Sequence, residues 1–468
     1  MKKKKNIILE NIKLVSAGAK GVAVGKAEDG KTVLVSGAVP GDLANVRVKK
    51  SKSKYYEAEV LEIMEKSPFR VEPKCIHFGV CGGCKWQNLS YEKQLKFKQN
   101  EVLNNIKRIG GIENFETLPI LGSENEYFYR NKMEFSFSDS RWLTADEINS
   151  SENIEHRNAL GFHIPGMWSK VLDLKECFLQ EKPSNDIRLA VKHFAQENGL
   201  EFFDLKNQKG FLRTLMLRQN SKGEWMVLFQ FFREEKENRE KLFDDLIKKF
   251  SQIKTLVYAI NPKSNDSVYD LEIQNYFGEG FLEEEMDGLK FKIGAKSFFQ
   301  TNYHQALNLY RKTLEFADLK GGETVYDLYS GTGTIAQFLA KKAKQVIGIE
   351  SVKESVDAAA EHAKLNGISN CTFFCGDMKT IFNDEFLQNH PPADVLITDP
   401  PRDGMHAKVV EQILKLSPKK MVYVSCNSAT QARDLALLKN DYKLVKILPV
   451  DMFPQTHHVE NIAVLERF

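Results

Sequence analysis

Val325-Tyr-Asp-Leu-Tyr-Ser-Gly-Thr-Gly333 reads as a buried strand, then a glycine turn, then the start of a helix. The apolar residues suit a strand covered on both faces, and residues 335–343 continue with helical spacing. The rhythm repeats downstream. A strand at 345–349 ends at Glu350, a helix covers 353–365, and a strand at 371–374 ends near Asp377. A strand at 393–398 ends at Asp399, and one at 421–424 runs into Ser425-Cys426-Asn427. Strands alternating with helices in this way predict a doubly wound parallel α/β sheet of the Rossmann-like kind. Ligands of such sheets bind outside the carboxyl ends of the strands. The chemistry-bearing residues of the last third stand at those ends.

The turn at Gly331 and Gly333 brings backbone close to a ligand, and Glu350 at the end of the second strand can hold ribose hydroxyls. With Ala336 the turn also satisfies G-x-G-x-x-A, so a dinucleotide-binding fold competes. Three features favour S-adenosylmethionine. Asp327 precedes the first glycine by four residues, a placement that resembles the methyltransferase pattern. Asp377 can reach an adenine amino group, and Asp399-Pro-Pro401 ends the strand where methyl transfer would occur.

An Asp-Pro-Pro motif also suits an amino-methyltransferase, which needs no nucleophile. Cys426 on its own reads as an inert buried thiol. With Glu460 in His458-Val-Glu460 it fits carbon methylation of a pyrimidine instead. C5 of uracil is a poor nucleophile, so a thiolate must first add at C6, and a base must later remove the C5 proton. Cysteine, carboxylate and methyl donor are all available in the last third.

The whole chain has 468 residues, 42% hydrophobic and 28% charged, which suits a soluble protein of about three domains. Nothing approaches the roughly 18 apolar residues of a membrane span. The lysine-rich start mimics a signal peptide, but Glu10 and Lys13 interrupt its apolar run, so the cytoplasm is the expected location. Net charge is +3, unevenly spread: residues 1–70 hold 15 Lys and Arg against 8 Asp and Glu. That basic end suits a polyanion, or is simply a solvated surface.

Residues 1–66 read as short alternating strands between glycine turns, the pattern of a small OB-like barrel. Gly21-Val-Ala-Val24 and Val39-Pro-Gly-Asp42 resemble the TRAM domain, an RNA-binding barrel found on RNA-modifying enzymes. Residues 67–290 alternate strands and helices less legibly, as a central α+β domain, and 291–468 form the catalytic domain. Tyr129-Arg-Asn-Lys132 is either a site for phosphates and stacking or a strand with a polar edge. Cys75, Cys81 and Cys84 form a C-x5-C-x2-C cluster, with Cys177 far downstream. Reduced thiols so spaced favour an iron–sulfur cluster over zinc, with unligated core cysteines as the third reading. Cys371 and Cys375 read as structural.

Five stretches together look like the signature series of the RNA uracil-5-methyltransferases, the TrmA/RumA family. They are Ser297-Phe-Phe-Gln-Thr-Asn302, Asp327-Leu-Tyr-Ser-Gly-Thr-Gly333, Asp399-Pro-Pro-Arg402, Ser425-Cys-Asn427 and His458-Val-Glu460. The resemblance implies Cys426 as nucleophile and Glu460 as base. It implies that Gln300, Tyr329, Gly331, Gly333, Glu350, Asp377 and Asp399 serve the cofactor and base pocket, and that the four cysteines hold a [4Fe–4S] cluster. Thr334 and Asp377 stand where the family's ribosomal branch often has asparagine. The barrel and cluster point by analogy to 23S ribosomal RNA as substrate, with transfer RNA as the alternative, and to a monomer. An amino-methyltransferase and a non-enzymatic RNA-binding factor remain as competing functions.

Overall fold

The computed structural model describes residues 7–150 and 157–468; the lysine run at 1–6 lies outside them. Strands Ile8–Ala17, Ala23–Lys26, Thr32–Ser36, Leu43–Ser51 and Tyr55–Glu65 close into a barrel. Alternation puts Leu14, Val33, Val35, Ala44 and Val46 in its core, all fully buried. Its lower end is tied to the next segment. Buried Asp42 receives both Arg70 nitrogens at 2.8 and 2.7 Å and accepts from the Val39 and Ser67 backbone. The Trp86 indole donates to the Gly21 carbonyl at 3.1 Å.

The central sheet has seven strands, in the order Gln274–Phe277, Ile253–Ile260, Trp225–Phe231, Leu212–Gln219, Lys132–Ser138, Ala159–Ile164, Met167–Asp173. Neighbours are antiparallel except the pair joined through helix Lys236–Lys249. That helix and Ser184–Glu197 bury Ile187, Val191, Leu242, Phe243 and Leu246 against the sheet. Tyr129 is not free for stacking: it is buried, and its hydroxyl donates to the Pro454 carbonyl at 2.9 Å. Asn131 donates to the Gln300 and Thr301 carbonyls, so this stretch ties the central sheet to the catalytic domain.

The catalytic sheet has eight strands, in the order Cys371–Cys375, Gln345–Glu350, Thr324–Leu328, Val395–Thr398, Lys420–Ser425, Glu460–Arg467, Tyr442–Val450, Glu116–Thr117. The expected parallel sheet is present with two departures, the first being that Glu460–Arg467 runs antiparallel between its two neighbours. The connection 451–459 carries no helix and is too short for a parallel crossover, so the chain must fold back. A second departure concerns residues 91–121, which precede the catalytic strands by two hundred residues. Glu116–Thr117 adds the eighth strand, and helix Tyr91–Asn105 with its extension buries Val102 and Ile106 among Tyr326, Ala432 and Leu435. Ser90 holds the N-cap position of that helix, but its side chain makes no capping bond.

Candidate active site

Strand register gathers the site. Leu328 pairs with Ile349 on one side and Thr398 on the other, so Tyr329, Glu350 and Asp399 leave the sheet at one edge. Ser425 stands opposite Asn461 in the antiparallel pair, so the next step places Cys426 across from Glu460. Because Glu460–Arg467 runs backward, its first residue meets the last residues of the parallel strands. A cavity of about 1300 Å³ opens there, walled by Gln300, Tyr329, Gly331, Glu350, Asp377, Asp399, Cys426 and Glu460.

Gly331 and Gly333 differ in what they do. Gly331 has φ +54, and a Cβ there would meet nothing within 4 Å, so its backbone faces the open cavity. Its N–H donates to Glu350 at 3.0 Å, and the other Glu350 oxygen accepts from the Ser351 and Val352 amides. Gly333 lies behind the wall at φ +76. A Cβ there would sit 2.8 Å from Ala359 and 2.9 Å from the Phe373 ring, so it serves helix packing. Asp377 is exposed at the rim and caps a short helix by accepting from the Lys379 amide at 2.9 Å.

The cavity wall also contains residues with no motif to announce them. Tyr310, on the buried face of helix Tyr303–Ala317, and Phe453 line it beside Arg402. Tyr310 has only a helical apolar period around it, which signals core and not site. Among the described residues, the buried Ser330 hydroxyl in the wall has no hydrogen-bond partner, and neither do the Asp327 oxygens behind it. Orphaned polar atoms beside an open glycine turn fit a bound nucleoside with hydroxyl and amino groups.

The sequence profile described as tRNA (uracil-5-)-methyltransferase matches residues 222–468, and the TRAM domain profile matches 12–61. The chain belongs to the RNA uracil-5-methyltransferase family. Among its relatives, a protein of Bacteroides thetaiotaomicron described as an uncharacterized RNA methyltransferase is 49% identical over 452 residues. That match covers 96% of this chain and 99% of the relative. One of Porphyromonas gingivalis with the same description is 50% identical, covering 97% and 99%. A similar solved structure is Pyrococcus abyssi tRNA (uracil-54, C5)-methyltransferase in complex with S-adenosyl-L-homocysteine. Its TM-score is 0.74 at 29% identity, covering 97% of this chain and 99% of that one.

Within this uracil-5-methyltransferase, three acidic groups share one wall of the cavity. Burial pushes Asp399 up to about 7. Burial, reinforced by the charge of Asp399, pushes Glu460 up to about 8, while Arg402 pulls it back. The Cys426 thiol is pushed up to about 11 by burial first, then by Glu460 and Asp399, with Arg402 again opposing. The resting group is therefore poised to accept positive charge. Helix Ser428–Leu438 begins two residues after Cys426, and its N-terminal dipole also favours a thiolate.

The four clustered cysteines lie elsewhere, where the loop 75–84 meets the loop after Met167–Asp173. Each of the six thiol pairs is close enough to raise the pKa of one partner, although burial is the larger cause, and none is bridged by a disulfide. His77 Nε2 accepts from the Lys175 amide at 2.9 Å, joining the two loops. Asn185 holds Cys177 by both its N–H and its carbonyl at 2.9 Å. Among the described residues, however, no group of three or more His, Cys, Asp or Glu side chains is set to hold a metal ion. The expected [4Fe–4S] site is thus seen as gathered thiols and not as a formed metal centre. No helix among the described residues is long and apolar enough to cross a membrane.

Proposed function

We propose that the protein methylates C5 of a uridine in structured RNA, with S-adenosylmethionine as methyl donor and Cys426 as nucleophile. The observation that carries this reading is the meeting of Cys426, Glu460 and Asp399 with the Gly331–Glu350 turn on one cavity. A cavity of about 1300 Å³ exceeds the roughly 300–1,000 Å³ of ordinary single-ligand sites, and two reactants must share it. The uridine enters flipped, because C5 and C6 are inaccessible in a stack.

Glu350 and the Gly331 backbone hold the ribose side of the donor, Asp377 its adenine at the rim, and Gln300, Tyr329 and Asp399 the uracil and the reacting end. When bound, S-adenosylmethionine supplies an electrophilic methyl group and a positive charge beside the three acids. Cys426 loses its proton to solvent in the open cavity and its sulfur adds to C6, sending the C5=C6 electron pair toward C5 and O4. C5 accepts the methyl as its bond to the sulfonium sulfur breaks, the pair staying on that sulfur, which leaves as the neutral thioether S-adenosylhomocysteine. The Glu460 carboxylate then removes the C5 proton, and the released pair reforms C5=C6 and expels the Cys426 thiolate.

The four gathered, half-buried thiols suit a [4Fe–4S] cluster, whose four corners spread its ligands more widely than one ion does. Cys75, Cys81, Cys84 and Cys177 would hold it, and it would brace the two loops. No step of methyl transfer needs it. As to the RNA, the barrel and the cysteine cluster together point by analogy to 23S rRNA. A solved relative that covers 97% of this chain acts on tRNA, so the barrel does not discriminate between the two.

The test is nucleoside analysis after incubation with labelled S-adenosylmethionine and either 23S rRNA or tRNA transcripts. 5-Methyluridine in one of them, lost with Cys426→Ala, is expected. Label on an exocyclic amine, with Cys426→Ala still active, would sink the thiolate reading. A stable covalent adduct with 5-fluorouridine RNA separates an enzyme from an RNA-binding factor. Absorbance of anaerobically reconstituted protein tests the cluster against zinc.

A further inference from the structure

Asn427 follows the nucleophile, yet it does not line the cavity. Its side chain turns the other way and makes two bonds. Oδ1 accepts from the Ala429 amide at 3.1 Å, capping helix Ser428–Leu438, and Nδ2 donates to the Arg402 carbonyl at 2.9 Å. The same carbonyl accepts from the Thr430 hydroxyl at 3.0 Å. One turn further along the helix, Arg433 donates to the Asp403 and Met405 carbonyls, and Asp434 accepts from the Met405 amide at 2.8 Å. Asp434 is itself fully buried and takes the Tyr423 hydroxyl at 2.7 Å.

The loop after Asp399 is therefore not held by its own strand alone. Five polar contacts from the helix that begins beside Cys426 hold it. Asp399 and Arg402 face the cavity at one end of this loop, and Cys426 faces it from the next strand. An exposed loop of this kind would otherwise move independently of the nucleophile.

We propose that Asn427 is a positioning residue for the reaction: its amide locks the Asp399–Arg402 loop to the Cys426 turn, holding Arg402 toward Cys426 and Glu460. The inference rests on the methyltransfer reading above and deepens it. A misplacement of about 1 Å away from the reacting atoms can cost on the order of a hundredfold in rate. Asn427→Ala removes both bonds. Asn427→Ser keeps a capping oxygen on an arm too short to serve Arg402 as well. Thr430→Val removes the second donor to the same carbonyl.

The test uses the full-length protein and single-turnover methyl transfer across pH, with melting temperature and RNA affinity measured alongside. Asn427→Ala and Asn427→Ser should both lose about tenfold to a hundredfold in rate, with RNA affinity within about threefold of wild type. Thr430→Val should lose less. The acid limb of the rate profile should move to higher pH in both Asn427 variants, because Arg402 is what holds Glu460 down. If Asn427→Ser restores the wild-type rate and profile, the residue is only a helix cap and the proposal falls. Unchanged kinetics in Asn427→Ala overturn it too. Absence of any 5-fluorouridine adduct in the wild type would instead count against the methyltransfer reading.

Discussion

Lys98 and Asp451 pair at 2.6 Å with no exposed side-chain surface on either, across 353 positions of sequence. The Lys98 ammonium also donates to the Phe453 carbonyl, the Tyr91 hydroxyl donates to Asp451 at 2.9 Å, and the Phe453 amide donates to it at 3.1 Å. The pair thus pins the connection 451–459, whose end is Glu460, onto helix Tyr91–Asn105. Removing one partner leaves an uncompensated buried charge, a loss of about 3–5 kcal/mol. Lys98→Met and Asp451→Leu should each lower the urea midpoint sharply, and the double variant should recover most of the loss. Additive losses in the double variant would show that the pair is not coupled.

As the proposed base, Glu460 must be a carboxylate to take the C5 proton. With Glu460 at about 8 and the Cys426 thiol at about 11 in the unliganded protein, kcat/KM should rise with pH toward about 11, and should rise more steeply below about 8 than above it. The donor's positive charge beside Asp399 and Glu460 lowers both, so the limb of kcat should lie at lower pH than that of kcat/KM. The measurement is a pH–rate profile at limiting and at saturating S-adenosylmethionine. Coincident limbs would contradict a charge effect of the donor.

The same groups shape stability, with the opposite tendency to an ordinary salt-bridged carboxylate. Folded-state values raised to about 7 for Asp399 and about 8 for Glu460 mean that the native state binds more protons than the unfolded one between about pH 4 and those values. Their contribution is fully present below about pH 4 and is lost as pH rises through 7 and 8. Glu460→Gln should therefore melt higher than the wild type at pH 8.5, with the gap closing toward pH 5. Differential scanning calorimetry of the unliganded proteins reads this directly.

The two glycines of the turn should fail in different ways. Gly333→Ala forces a Cβ to within 2.8 Å of Ala359 at φ +76, so a loss of about 1–3 kcal/mol in stability is expected. Gly331→Ala meets open space. Its φ of +54 costs about 1 kcal/mol, but the methyl points into the cavity and should weaken S-adenosylmethionine binding by at least about tenfold. Calorimetric titration beside thermal melting separates the two losses.

The local order of the chain was legible. Apolar runs ending in Glu350, Asp399 and Cys426 announced a wound sheet with its chemistry at one edge, and alternation between glycine turns announced the barrel. These signals depend on residues a few positions apart, so periodicity captures them. What only the tertiary structure decided involves partners from tens to hundreds of residues apart. Strand Glu460–Arg467 reverses direction, which is what sets Glu460 opposite Cys426. Residues 91–121 complete the catalytic sheet, Tyr310 and Phe453 enter the cavity from segments without motifs, and Gly333 turns from ligand to helix packing. Asn427, next to Cys426 in sequence, likewise turns its amide to the Arg402 carbonyl. The amino-acid sequence by itself determined which strands and helices form and which reactive side chains end them. Long-range packing decided which of those side chains share a wall, because register and burial arise only when distant elements meet.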